Sequence, residues 1–106
     1  MDRQIADLLH TLRRAFSREP GEQFETMFLY GSRAREEARP DSDVDVLVVV
    51  NGPFDYEDLI QRTSDVVSAL SLEHGLVISR AFVSVEQFAR ERSPFLLNVR
   101  REAVPA

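Results

Sequence analysis

Tyr30-Gly31-Ser32-Arg33-Ala34-Arg35-Glu36-Glu37-Ala38-Arg39-Pro40-Asp41-Ser42-Asp43-Val44-Asp45-Val46-Leu47-Val48-Val49-Val50 is the stretch that decides how this chain folds. It opens where the apolar run Met27-Phe28-Leu29 stops at a glycine, and it closes by carrying two carboxylates into an almost wholly apolar strand. Side chains alternate sides along a strand, so Asp43 and Asp45, two positions apart, project from one face. Val44, Val46, Leu47, Val48, Val49 and Val50 are β-branched or aliphatic and favour burial. Two like charges at the edge of a core repel one another and are costly to desolvate, so a cation is the natural compensation. Divalent magnesium, which prefers oxygen ligands, fits best.

The glycine-serine half supplies the complementary chemistry. A glycine directly after a strand lets the backbone turn tightly and lets a ligand approach without a Cβ in the way. Ser32 falls where a helix N-cap is expected, and Arg33 to Glu37 is predicted as a short helix. Free backbone N–H groups at a helix start, with a serine hydroxyl beside them, make a phosphate cradle. An anion seat next to a metal seat is what a metal-bound nucleoside triphosphate requires.

Gly31-Ser32, ten intervening residues and then Asp43-Val44-Asp45 together resemble the signature of the polymerase-β-like nucleotidyltransferases. The Ser32-Arg33-x-Arg35 form and the short chain are most similar to the minimal nucleotidyltransferase (MNT) proteins. The resemblance covers essentially the whole chain and implies a single domain over residues 1–106. It implies an α/β (α+β) fold like the polymerase palm: a small mixed, twisted sheet with helices mainly on one face and the site at the strand ends. It further implies that Asp43 and Asp45 hold metal, with two magnesium ions gripping the triphosphate and polarising the incoming hydroxyl. Ser32 would bond a β- or γ-phosphate oxygen, with Gly31 making room. Arg33 and Arg35 are candidates to neutralise phosphate charge through their forked donors, or to pair with Glu36 and Glu37 in solvent. Ser42 either orients the first aspartate or finishes the turn.

Composition bounds the rest. A chain of 106 residues is one compact domain, and 43% hydrophobic with 29% charged residues is ordinary globular material. The absence of cysteine excludes disulfides, thiolate metal sites and cysteine nucleophiles. Charge follows the first methionine at once and no long apolar run exists, so neither a signal peptide nor a membrane span is expected and the cytoplasm is the default. A formal net charge of −5 argues against general nucleic-acid binding. All 13 positive residues are arginine, which removes any lysine nucleophile or P-loop lysine.

Taken in order, Met1 to Arg18 carries Ile5, Leu8, Leu9, Leu12, Ala15 and Phe16 at three- and four-residue spacing, an amphipathic helix ended by Glu19-Pro20-Gly21. His10 reads as a partly exposed helical histidine. Phe24 to Tyr30 is the first strand and Asp43 to Val50 the second, closed by Asn51-Gly52-Pro53. Asp55 to Glu73 is a long helix with Leu59, Ile60, Val66, Val67, Leu70 and Ala69 turned inward, and Gly75 ends it. Leu76 to Ser84 is the third strand. Ser84 caps a helix from Val85 to Glu91, and Ser93-Pro94 starts a last helix from Phe95 to Arg101, before a short Pro105-Ala106 tail.

One departure from the resembled pattern stands out. The family places a third carboxylate on the next core strand, yet Leu76 to Ser84 contains no acid. Ser79 or Arg80 stands in its place, while Glu73 and Glu86 lie beyond the strand's ends. Two functional readings follow from different classes. The first is a nucleotidyltransferase moving a nucleoside monophosphate, AMP from ATP, onto a hydroxyl. Family knowledge of minimal members places such a chain beside an all-helical HEPN toxin, as an antitoxin that modifies a tyrosine on it. The second is a catalytically impaired nucleotide-binding module that neutralises a helical partner by contact. The run Ser93 to Arg101 has apolar residues on more than one side, so it docks on a partner or twin subunit, or packs on its own sheet.

Overall fold

The structure is a computed structural model and describes residues 2–106. Its elements are α1 (Arg3–Phe16), a 3-10 turn (Gly21–Gln23), β1 (Phe24–Tyr30), β2 (Val44–Val50), α2 (Tyr56–His74), β3 (Ile78–Ser84), α3 (Val85–Arg90), α4 (Pro94–Glu102) and β4 (Val104–Pro105). One sheet contains all four strands in the order β3-β2-β1-β4. β1 runs antiparallel to both β2 and β4, whereas β2 and β3 are parallel, with α2 as the crossover a parallel pair needs. The mixed sheet that the family resemblance implies is present.

β2 is central, which is why it reads as a continuous apolar run rather than an alternation. Val44, Val46, Val48 and Val50 face α1 and α2, packing with Leu8, Leu12, Phe16, Leu59 and Phe82. Leu47 and Val49 face the other way, against Leu96 and Val99 of α4 and Val83 of β3. The two long helices thus cover one face and the two short ones the other. Asp2 caps α1 by accepting from the Gln4 backbone N–H at 2.7 Å, and Gly75 closes α2 in the left-handed conformation. His10 is exposed in α1 as expected.

Several boundaries and one element differ from the sequence-based expectation. Arg33 to Glu37 is not a helix. It is a pair of hydrogen-bonded turns, Arg35 N–H to Gly31 C=O at 3.2 Å and Glu37 N–H to Ser32 C=O at 2.9 Å. Glu36 leaves the right-handed region at φ 59°, and a single turn is too short to offset the cost of helix nucleation. β3 starts at Ile78 rather than Leu76. The predicted tail instead forms β4, where Leu29 pairs with Val104 and Phe28 with Pro105. A proline is tolerated there because β4 is an edge strand. On α2, Ala69 is exposed, while Thr63, unremarked in the apolar pattern, is fully buried. The last helix packs on its own sheet through Leu96 and Val99, leaving Phe95 and Leu97 exposed. Among the described residues no helix is long and apolar enough to cross a membrane.

Candidate functional site

The end of β1 and the start of β2 bring the sequence-predicted residues together. Tyr30 pairs directly with Asp45 across the two strands. Gly31, the next residue, adopts φ +77°, and a Cβ built on it would lie 2.5 Å from the Asp45 Oδ2 atom. Both the backbone conformation and the close approach therefore demand glycine. The Asp45 carboxylate sits directly against the bend that follows β1.

Asp43 is exposed and stands just before β2, two residues from Asp45. Burial raises the pKa of Asp45, the Asp43 charge raises it further, and the Arg35 guanidinium acts in the opposite sense. The two carboxylates thus feel each other. No hydrogen bond or ion pair from the described residues engages either one. Among those residues there is also no group of three or more His, Cys, Asp or Glu side chains able to hold a metal. Magnesium usually takes one or two carboxylates and fills its octahedron with water and substrate phosphates, so an unpartnered aspartate pair fits it.

Each remaining candidate has a definite place. Ser32 does not cap a helix, because none follows it, and its hydroxyl has no partner among the described residues. Arg33 faces its own loop: Nε donates to the Ser42 carbonyl at 3.1 Å, and Nη2 to the Ser42 and Pro40 carbonyls at 2.7 and 3.2 Å. It fastens the turn that delivers Asp43. Ser42 finishes that turn, its Oγ accepting from the Arg39 backbone N–H at 2.8 Å. Arg35 donates from Nε to Glu37 and from Nη1 to both Glu102 oxygens, each at 3.2 Å.

On β3, Ser79 pairs with Asp45, and its neighbours on that face, Ala81 and Val83, pack toward α4. Ser79 is therefore the residue beside the carboxylates. Arg80 points through the opposite face, where Nε donates to Thr63 Oγ1 at 2.8 Å and Nη2 to the Ile60 carbonyl at 2.7 Å. It is a fastener between β3 and α2.

Two residues at the site were not singled out from sequence. Tyr30 lies on the carboxylate face, edge-on to Phe95 with ring centroids 5.4 Å apart. Burial first, and then the Asp45 charge, push its phenol pKa up, so it stays protonated at neutral pH. Alternation along β1 assigns its face, but only the cross-strand register reveals its neighbour. Glu102 arrives from the far end of the chain, and no local pattern points to it. A separate cleft of about 470 Å³ lies behind the loop, lined by Asp2, Ile5, Arg33 and Pro40 among others, and neither aspartate lines it.

Comparison with known proteins places these features in a family. The family model described as "Nucleotidyltransferase domain" matches residues 9–100. Among solved structures, a protein from Sulfolobus solfataricus, provisionally described as a nucleotidyltransferase, superimposes with a TM-score of 0.63 at 20% identity, over 96% of this chain and 80% of that one. At that identity the likeness shows the fold. No curated protein matches the sequence.

Proposed function

From the premise that this chain belongs to the nucleotidyltransferase domain family, we propose that it transfers a nucleoside monophosphate, AMP from ATP, to a hydroxyl in a magnesium-dependent reaction. The observation that carries the proposal is the Asp45 carboxylate packed against Gly31, with Asp43 near enough for its charge to act on it and neither acid partnered. Asp43 and Asp45 are the residues that would hold the metal. Two magnesium ions bound there would supply charge neutralisation at the triphosphate and a lowered pKa at the acceptor hydroxyl.

The chain's own residues provide the rest. Gly31 leaves room for phosphate, the Ser32 hydroxyl donates to a β- or γ-phosphate oxygen, and Arg35 offsets phosphate charge. Arg33 and Ser42 keep the loop in place so that Asp43 stays beside Asp45. In the transfer, the acceptor oxygen bonds to the α-phosphorus, its proton leaves, and pyrophosphate departs with the bonding electron pair. Ser79 cannot take that proton as a carboxylate would, so the base comes from the acceptor's side.

The proposed acceptor is a tyrosine on an all-helical HEPN-type toxin, with this chain as its antitoxin and the cytoplasm as its setting. Incubation of the purified chain with labelled ATP, magnesium and such a partner should label the partner on tyrosine. Asp43→Asn combined with Asp45→Asn should abolish the label while leaving the melting curve cooperative. A second reading draws on the serine at position 79 and the exposed Phe95 and Leu97 on α4: a module that neutralises its partner by contact alone. If the double variant still neutralises the partner fully, contact suffices and the enzyme reading fails.

A further inference from the structure

We propose that Glu102 is a positioning residue that holds Arg35 in place for the triphosphate, an inference that rests on the nucleotidyl-transfer reading. Arg35 belongs to the turn after β1, and its backbone N–H bonds to the Gly31 carbonyl at 3.2 Å. Its side chain therefore springs from the turn that carries the expected phosphate seat, three residues after Ser32. The guanidinium is held on two sides. Nε donates to Glu37, and Nη1 donates to both Glu102 oxygens, at 3.2 Å each. Nη2 has no partner among the described residues, which leaves its two N–H donors open to an incoming oxyanion.

The placement of Glu102 is not explained by its own helix. It is the last residue of α4, where the macrodipole favours cations, and Arg100 and Arg101 beside it satisfy that preference. An acid at this position is locally unfavourable and needs compensation from outside the helix. Its side chain is only 25% exposed, against 66% for Glu37, so Glu102 is the firmer of the two grips. The strand that follows fixes it further: Val104 pairs with Leu29, two residues before Gly31. The far end of the chain is thereby folded back on the phosphate turn, and its carboxylate holds the arginine that serves it.

The test uses the full chain and calorimetric titration with manganese alone, with manganese-ATP and with manganese-tripolyphosphate. Glu102→Ala should weaken both triphosphate complexes about tenfold, the order expected when an ionised hydrogen-bond donor loses its support. Manganese alone, held by Asp43 and Asp45, should bind as in the parent chain. Glu102→Gln, which keeps one acceptor oxygen and the packing, should recover part of the loss. In the Arg35→Ala background, Glu102→Ala should cost nothing further, because Glu102 acts through Arg35. Equal weakening in that background, an unchanged affinity, or a tighter one caused by removing a competing anion would each overturn the proposal. Failure of the parent chain to take up any manganese-triphosphate would sink the transfer reading and this inference together; uptake with no response to Glu102 would sink this inference alone.

Discussion

Gly31→Ala puts the contact between the bend and Asp45 to the test. Holding an alanine at φ +77° costs about 1–2 kcal/mol, because the left-handed region crowds Cβ against the following carbonyl. The new Cβ would also meet Asp45 Oδ2 at 2.5 Å, closer than non-bonded atoms tolerate. Turning the carboxylate off its rotamer to escape adds roughly 0.5–1.5 kcal/mol. The combined loss of about 1.5–3.5 kcal/mol corresponds to a melting temperature lower by roughly 6–28 °C in a domain of this size. Gly52→Ala is the internal control: Gly52 has a similar φ of +71° but its Cβ would meet nothing nearer than 3.9 Å, so it bears the backbone cost alone. Thermal unfolding of both variants, with a manganese titration of each, separates the two terms. Gly31→Ala should lose more stability than Gly52→Ala and should lose manganese binding as well. In an Asp45→Ala background, which removes the clashing oxygens, its extra cost should disappear. If Gly31→Ala melts like Gly52→Ala and binds manganese as the parent chain does, Asp45 is not packed on the bend and the site as described is wrong.

Asp45→Asn should stabilise the metal-free chain at pH 7. Its folded pKa is raised above the ordinary 3.8, so ionisation opposes folding above the folded pKa and stability is regained as pH falls through it; urea unfolding should show the gain at pH 7 and little below pH 3.8, and a gain that grows on acidification would reverse the sign. Thr63→Val leaves Arg80 Nε without its acceptor in a half-buried setting, which should cost about 1–3 kcal/mol by urea unfolding, with manganese affinity untouched because Arg80 lies on the other face. Ser79→Asp puts a carboxylate beside Asp45 on the strand that lacks one. If proton removal limits transfer, the single-turnover rate should rise at least tenfold toward the roughly 10²–10⁴-fold worth of a general base; an unchanged rate would show that β3 withholds nothing the reaction needs.

What could be read in advance followed the range of the interactions concerned. Alternation and apolar runs are local, so β1, β2 and α1 were legible from residues a few positions apart, although β2 begins at Val44 and leaves Asp43 outside it. Ser32 was legible as a bend residue but misread as a helix cap, because Glu36 turns left-handed before a helix can establish itself. Arg33 and Arg35 looked alike in sequence. Their partners, the Ser42 carbonyl in one case and Glu102 in the other, are set by how loops and the far end of the chain fold back. The choice between Ser79 and Arg80 depended on strand register, which a single residue's slip would have reversed. β4 escaped notice because two residues, one of them proline, carry no periodicity of their own.

The two acids are mounted differently. Asp45 is built into a strand with a neighbour on either side, whereas Asp43 hangs from a loop held by the Arg33 guanidinium's grip on two carbonyls and by the Ser42–Arg39 turn bonds. The pair works like a vice with a fixed jaw and an adjustable one. If the pair holds a cation as proposed, change at Arg33 or along the loop would widen or narrow the gap, and so retune how tightly and how selectively it is held, while the buried sheet is left as it was. Affinity and foldedness would thereby be separable properties in the proposed site, open to adjustment one at a time.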